Sequence, residues 1–113
     1  MSDSCLFCKI ARNEIPAERV AETDRALVVR DIAPQAPVHL LVIPKEHLVS
    51  LVESCDVALF GELLLLAAES ARNAGVATDG YRVVVNTGVN GGQSVPHLHL
   101  HVLGGRRLSW PPG

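Results

Sequence analysis

Apolar and polar positions change period several times along the chain, and each change predicts an element. The stretch "CLFCKIAR", residues 5–12, reads as a short helix. "ERVAET" and "ALVVRD" then read as two strands joined by a turn at Thr23-Asp24-Arg25, with Asp31 closing the second. "APQAP" is turn chemistry, because Pro34 and Pro37 fix φ and remove two donors. "VHLLVIP" returns to strand character with His39 at its start. Residues 56–73 hold "ALFGELLLLAAES" and predict one long helix, stopped by Gly75 in a left-handed conformation. "YRVVVNTG" and "HLHLHVLG" are two further strands around the loop "TGVNGGQSVP". Strands on both sides of one long helix predict an α+β domain with an antiparallel meander.

Two of these patterns carry more than an element. The long helix is apolar well beyond the third to half of its circumference that one sheet covers, which predicts a second partner, most simply another copy of the chain. In "SVPHLHLHVLGG" histidine occupies every second position, His97, His99 and His101, with Leu98, Leu100 and Val102 between them. Side chains alternate faces along a strand, so the three imidazoles are expected on one side, spanning roughly 13 Å, with the aliphatic residues on the other. The chain has five histidines, and three fall in this row.

With 113 residues, 48% of them hydrophobic, the chain suits one domain, residues 1–113, able to bury a real core. A net charge of −2 argues against a nucleic-acid partner but leaves small phosphorylated ligands open. The N-terminal stretch lacks the basic start and apolar core of a signal peptide. No apolar run reaches the ~18 residues that span a bilayer, so no membrane partner is expected. Three cysteines are too few for a disulfide framework and fit a reducing compartment. A cytoplasmic location is the expectation.

An imidazole row permits three readings: a metal site, catalysis by an imidazole that attacks or relays protons, or a polar edge strand. Just before it, Gly88, Gly91 and Gly92 form a loop whose amides could approach a phosphate. The same glycines also suit a plain hairpin loop. The spacing matches neither dinucleotide nor Walker patterns and leads into a strand where those motifs open a helix.

"PHLHLHVL" resembles the His-x-His-x-His-x-x signature of the histidine triad (HIT) superfamily. "DIAPQAPVHLLVIPKEH", "NGGQSVPHLHLHVLGGR" and the closing "WPPG" resemble its Hint branch of nucleotide-binding phosphoramidases. The resemblance runs from about Phe7 to Gly113. It implies a five-stranded antiparallel sheet with one long and one short helix, joined to a second sheet across a homodimer. It also implies hydrolysis of purine nucleoside phosphoramidates, the substrates being derivatives of AMP or GMP, with no organic cofactor.

Carried onto this chain, the resemblance makes His99 the nucleophile at the α-phosphorus and His101 a ligand of a phosphate oxygen. His39 would complete the cluster and assist proton movement, and Ser94 would donate toward the leaving amine. Asn86 and the amides around Gly92 would hold phosphate and sugar, Asp31 would accept from the ribose, and Phe7, Ile10 and Ile32 would enclose the base. The chemistry is consistent, since a neutral imidazole is nucleophilic near pH 7 when an acceptor holds its other nitrogen protonated.

Cys5-x-x-Cys8 has zinc-ligand spacing, with two buried, reduced thiols as the alternative. Some triad proteins, chiefly bacterial, resemble this chain in binding structural zinc through such a pair, the "PKxH" histidine and the first triad histidine, here His47 and His97. Cys55 is expected to pack, Arg106-Arg107 to form a solvated turn, and Lys45 and Glu46 to be surface charges. In Hint proteins the Trp110–Gly113 tail reaches toward the partner's active site. The competing functions are cleavage of dinucleoside polyphosphates, against which "WPPG" speaks, a nucleotide-binding regulatory module, and a metal carrier.

Overall fold

The computed structural model describes residues 4–113. The first three residues, part of the stretch read above for a targeting signal, lie outside the described residues. The elements run α1 (Leu6–Ala11), β1 (Arg19–Glu22), β2 (Ala26–Arg30), β3 (Val38–Pro44), a 3-10 turn at Leu51–Glu53, α2 (Val57–Asn73), β4 (Tyr81–Val84) and β5 (Leu100–Gly104). The five strands form one antiparallel sheet in the order β1-β2-β3-β5-β4. The expected α+β class, strand number and helix pair are therefore present. None of the helices in the described residues is long and apolar enough to cross a membrane.

β3 lies at the centre and is buried on both sides, which explains why "VHLLVIP" is a continuous apolar run rather than an alternating one. Its Leu40 and Val42 join Ala26, Val28, Leu100 and Val102 under α2. Its Leu41 and Ile43 join Leu27 and Val29 under α1, on the opposite face. The sheet is thus sandwiched between a long and a short helix.

Asp56 caps α2 by accepting from the Leu59 amide at 2.9 Å, as the cap position of a helix requires. Arg25, in the β1–β2 turn, donates to the same carboxylate at 2.8 Å and holds it below the usual carboxylate range. Leu59, Leu63, Leu66, Ala67, Ser70 and Ala71 face the sheet at helical spacing. Gly75 follows the helix at φ +80°, the left-handed stop that the sequence predicts. Leu64 and Leu65 point away from the sheet, 55% and 74% exposed, so the excess apolar surface expected of this helix is real.

The sequence reading needs correction at several points. β4 ends at Val84, not at Gly88, because the chain leaves the sheet to form the glycine loop. β5 begins at Leu100, so only His101 of the histidine row lies in a paired strand; His97 and His99 sit on the irregular lead-in. The Leu98 amide there bonds the Leu48 carbonyl instead of a strand ladder. Cys55 is exposed and does not pack. Arg106 and Arg107 are exposed in the turn after β5, as expected, and the Arg106 guanidinium also donates to the Gln35 carbonyl at 2.9 and 3.2 Å, which ties this turn to the loop before β3. Lys45 and Glu46 do carry surface ion pairs, with Glu22 and Arg25.

Candidate active site and metal centre

The register of β3 and β5 assembles the histidine cluster. Leu41 pairs with His101 and His39 with Leu103, so His39 and His101 are diagonal neighbours on the α1 face of the sheet. His39 Nε2 lies 2.9 Å from His101 Nδ1 and 3.4 Å from Asp31 Oδ2. The His99 ring packs 5.0 Å from that of His101 and 5.0 Å from Phe7, edge to face in both cases.

The hydrogen bonds assign every tautomer. The Gln35 amide donates to His39 Nδ1 at 3.0 Å, so the neutral His39 carries its proton on Nε2. That proton is donated to His101 Nδ1, which leaves the His101 proton on Nε2 as a donor without a partner among the described residues. His99 Nδ1 lies 2.8 Å from the carbonyl oxygen of His97; a carbonyl only accepts, so the proton is on Nδ1. The lone pair of His99 is therefore on Nε2, which has no partner among the described residues. A bare nitrogen stands beside a donor imidazole: one is equipped to attack and the other to hold an anionic oxygen.

Burial keeps His39 and His101 uncharged. Burial pushes His101 down to about 4, helped by the neighbouring His99 and His39 and opposed by Asp31. Burial also lowers His39, against the pull of Asp31. Both imidazoles are neutral near pH 7, as the tautomer chain requires.

Phe7, Ile10, Asp31 and Ile32 line one apolar cleft of about 230 Å³. Of these, Ile32 is almost fully exposed. Asp31 Oδ1 accepts from the Ala33 amide at 2.8 Å, which fixes the carboxylate. The structure thus gathers the residues expected around base and ribose.

The glycine loop is held from within. Asn86 Nδ2 donates to the Gly91 carbonyl at 2.6 Å, and the Gly92 amide donates to the Val89 carbonyl at 3.1 Å. A Cβ at Gly91 would collide with the Thr87 backbone, so only glycine fits there. Ser94 is exposed, and neither its hydroxyl nor its amide has a partner among the described residues.

His97 is turned away from this cluster. Its fully buried ring donates from Nε2 to the Pro44 carbonyl at 2.8 Å and presents a bare Nδ1 to Cys5 Sγ at 3.2 Å and Cys8 Sγ at 3.5 Å. His47 Nδ1 lies 3.2 Å from Cys8 Sγ. All four ligand atoms lie within 4.8 Å of one another. Tetrahedral zinc with ordinary Zn–S and Zn–N bonds has S···N edges of roughly 3.5 Å, close to the three measured here, and the two thiols and two imidazoles are the donor set that zinc prefers. The Pro44 carbonyl supplies the outer contact that orients a ligand imidazole. Burial and the neighbouring Cys5 push the Cys8 thiol up to about 11, so binding a metal must displace its proton.

Asp31, His39 and His101 also lie close enough together to suggest a metal set. The protonation pattern argues otherwise. A neutral imidazole bound through Nε2 needs its proton on Nδ1, where the Gln35 amide already donates. This group is a hydrogen-bond relay.

Sequence reasoning did not find Gln35, the Pro44 carbonyl or Gln93 as members of the site. The first two act through backbone atoms, which no side-chain pattern reveals. Gln93 stands in the quoted motif, but its contacts depend on the loop's fold.

The HIT domain model matches residues 12–108. An uncharacterized HIT-like protein of Synechococcus elongatus is 55% identical over 115 aligned positions, covering all of both chains. The crystal structure of a HIT family hydrolase from Legionella pneumophila superposes with a TM-score of 0.94 at 49% identity, covering 97% of this chain and 100% of that one. A histidine triad protein from Clostridium difficile gives 0.92 at 40% identity, covering 96% of each chain. The domain match over residues 12–108 and these relatives show that this chain belongs to the HIT family.

Proposed function

We propose that the protein is a hydrolase of purine nucleoside 5′-phosphoramidates that works through a nucleotidyl-His99 intermediate. The observation that carries this reading is the tautomer pair: Nδ1–H of His99 held by the His97 carbonyl, and Nε2–H of His101 presented as a donor beside it. His99 Nε2 attacks the α-phosphorus as the P–N bond breaks. The amine leaves with that electron pair and takes a proton through the Ser94 hydroxyl, which is replenished from water. Water then attacks the same phosphorus, the P–Nε2 bond breaks, and a nucleoside monophosphate and neutral His99 remain. His101 and the Ser94 amide stabilise the equatorial oxygens, and His39 keeps His101 in its donor tautomer. Asn86 acts by bracing the loop at Gly91, and the cleft of Phe7, Ile10 and Ile32 takes the base, with Asp31 on the ribose. The hydrolase label of the Legionella relative supports the reaction class.

The set of Cys5, Cys8, His47 and His97 would hold a structural zinc ion, whose four protein ligands leave no open position for substrate. We also propose a homodimer formed through α2 and the outer edge of β4. Leu64 is exposed there, on the flank of α2 beside Val85 and Leu100, and β4 is an unpaired edge. The C-terminal tail begins beside that edge: Arg82 of β4 donates to the Ser109 carbonyl at 2.7 Å and lies 6.0 Å from the Trp110 ring centre. This start suits a tail that crosses to the partner. Reduced cysteines suit a cytoplasmic location.

The deciding experiment is intact-mass analysis after brief mixing with adenosine 5′-phosphoramidate. A transient adduct of one nucleotidyl group, lost in His99→Ala, is expected. Turnover that persists in His99→Ala overturns the reading.

A further inference from the structure

Gln93 uses all of its side-chain amide in hydrogen bonds. Its backbone amide donates to the Gly88 carbonyl at 3.1 Å, and the Gly88 amide donates back at 3.0 Å to the side-chain Oε1 of Gln93. In an antiparallel pair two residues exchange both N–H···O bonds through their backbones. Here the side-chain carbonyl of Gln93 replaces its own backbone carbonyl, so the loop closes like a hairpin while the main chain at residue 93 is free to turn toward the histidines. The two hydrogens of Nε2 go to the Val49 carbonyl at 2.6 Å and the Val95 carbonyl at 3.0 Å. Val49 belongs to the segment whose Leu48 carbonyl receives the Leu98 amide at 2.6 Å. One side chain therefore ties both ends of the loop to each other and to the body of the protein, on either side of Ser94.

We propose that Gln93 is a positioning residue that sets the Ser94 amide and hydroxyl against the phosphate held by His99 and His101. This rests on the hydrolase reading above and names a residue that the reading does not use. Gln93 touches no reacting atom. Its effect falls more on the phosphate than on the base, because the cleft is lined chiefly by α1, the segment that follows it and the sheet, with Val95 alone coming from the glycine-loop side. A displacement of about 1 Å in such a group costs up to about a hundredfold in rate.

The test compares wild type with Gln93→Met, of similar size without the three hydrogen bonds, and Gln93→Glu, which keeps the acceptor for the Gly88 amide and loses both donors. Amide exchange at Gly88, calorimetric binding of AMP and of adenosine, and kcat and KM for adenosine 5′-phosphoramidate are measured. In Gln93→Met, Gly88 exchange is expected to rise about tenfold or more, adenosine affinity to stay within about twofold, AMP affinity to fall about fivefold, and kcat to fall about 10- to 100-fold. Gln93→Glu is expected to keep Gly88 protected while kcat still falls. Unchanged Gly88 exchange in Gln93→Met, parallel loss of adenosine and AMP binding, or an unchanged kcat with a loosened loop overturns the proposal. If Gln93→Met does not fold, Gln93→Glu decides: wild-type kcat there overturns it. A wild type that cleaves no phosphoramidate defeats the hydrolase reading alone, and the AMP-to-adenosine ratio with Gly88 exchange still decides the role of Gln93.

Discussion

His97 and His99 are joined by one hydrogen bond of 2.8 Å, from the ring of the second to the backbone carbonyl of the first. The same His97 sends its own ring in the other direction, to the two cysteines. A single residue thus faces Cys5 and Cys8 with its side chain and His99 with its main chain. Phe7 packs edge-on against both rings, at 5.8 and 5.0 Å.

His99→Ala is expected to abolish phosphoramidate turnover while nucleotide affinity stays within about tenfold, since one lost contact is worth about 1 kcal/mol and the reaction has lost its attacking nitrogen. Steady-state rates and calorimetry on the same preparation check this. His101→Ala is expected to be milder.

Replacing Cys8 with serine is expected to lower bound zinc and to drop Tm by on the order of 10 °C, with activity lost only as the protein unfolds. Metal analysis and thermal melts provide the measurement. Rapid inhibition by a chelator of protein that stays folded would show that the ion takes part in the reaction instead.

Leu64→Asp, at the outward leucine on the β4 side of α2, is expected to convert a dimer to monomers in sedimentation at micromolar concentration while lowering stability by no more than about 1 kcal/mol. A wild-type chain that sediments as a fully active monomer contradicts the dimer.

Acid is expected to destabilise the fold through His101. Its folded value is lowered to about 4 from an ordinary 6.5, so between these values the unfolded chain binds more protons and stability falls as pH falls. The contribution is fully present above about pH 6.5 and gone below about pH 4. Tm followed from pH 7 to pH 4 should drop less steeply for His101→Gln than for wild type; equal slopes would assign the acid sensitivity to other groups.

The long helix, its Gly75 stop and the strands were legible because each depends on neighbours in sequence: an apolar face at helical spacing, a cap, a period of two. The boundary errors lie where tertiary contacts override that local rule. The histidine row alternates like a strand through all its length and its rings do share the α1 side, yet His97 and His99 lie outside the paired strand because the Leu98 amide bonds the Leu48 carbonyl. The His97 ring gains a carbonyl and two thiols that only the approach of α1 and β3 supplies.

What the sequence by itself determined is which chemistry is present: the alternating histidines, the cysteine spacing and the glycines needed for a tight loop, all set by covalent order and side-chain type. Which nitrogen carries the proton in His39, His97, His99 and His101 was decided by the tertiary structure. An imidazole becomes nucleophile, donor or ligand according to which of its nitrogens meets an acceptor, and those partners, the carbonyls of Pro44 and His97 and the amide of Gln35, are backbone atoms that only the folded chain brings into hydrogen-bonding distance.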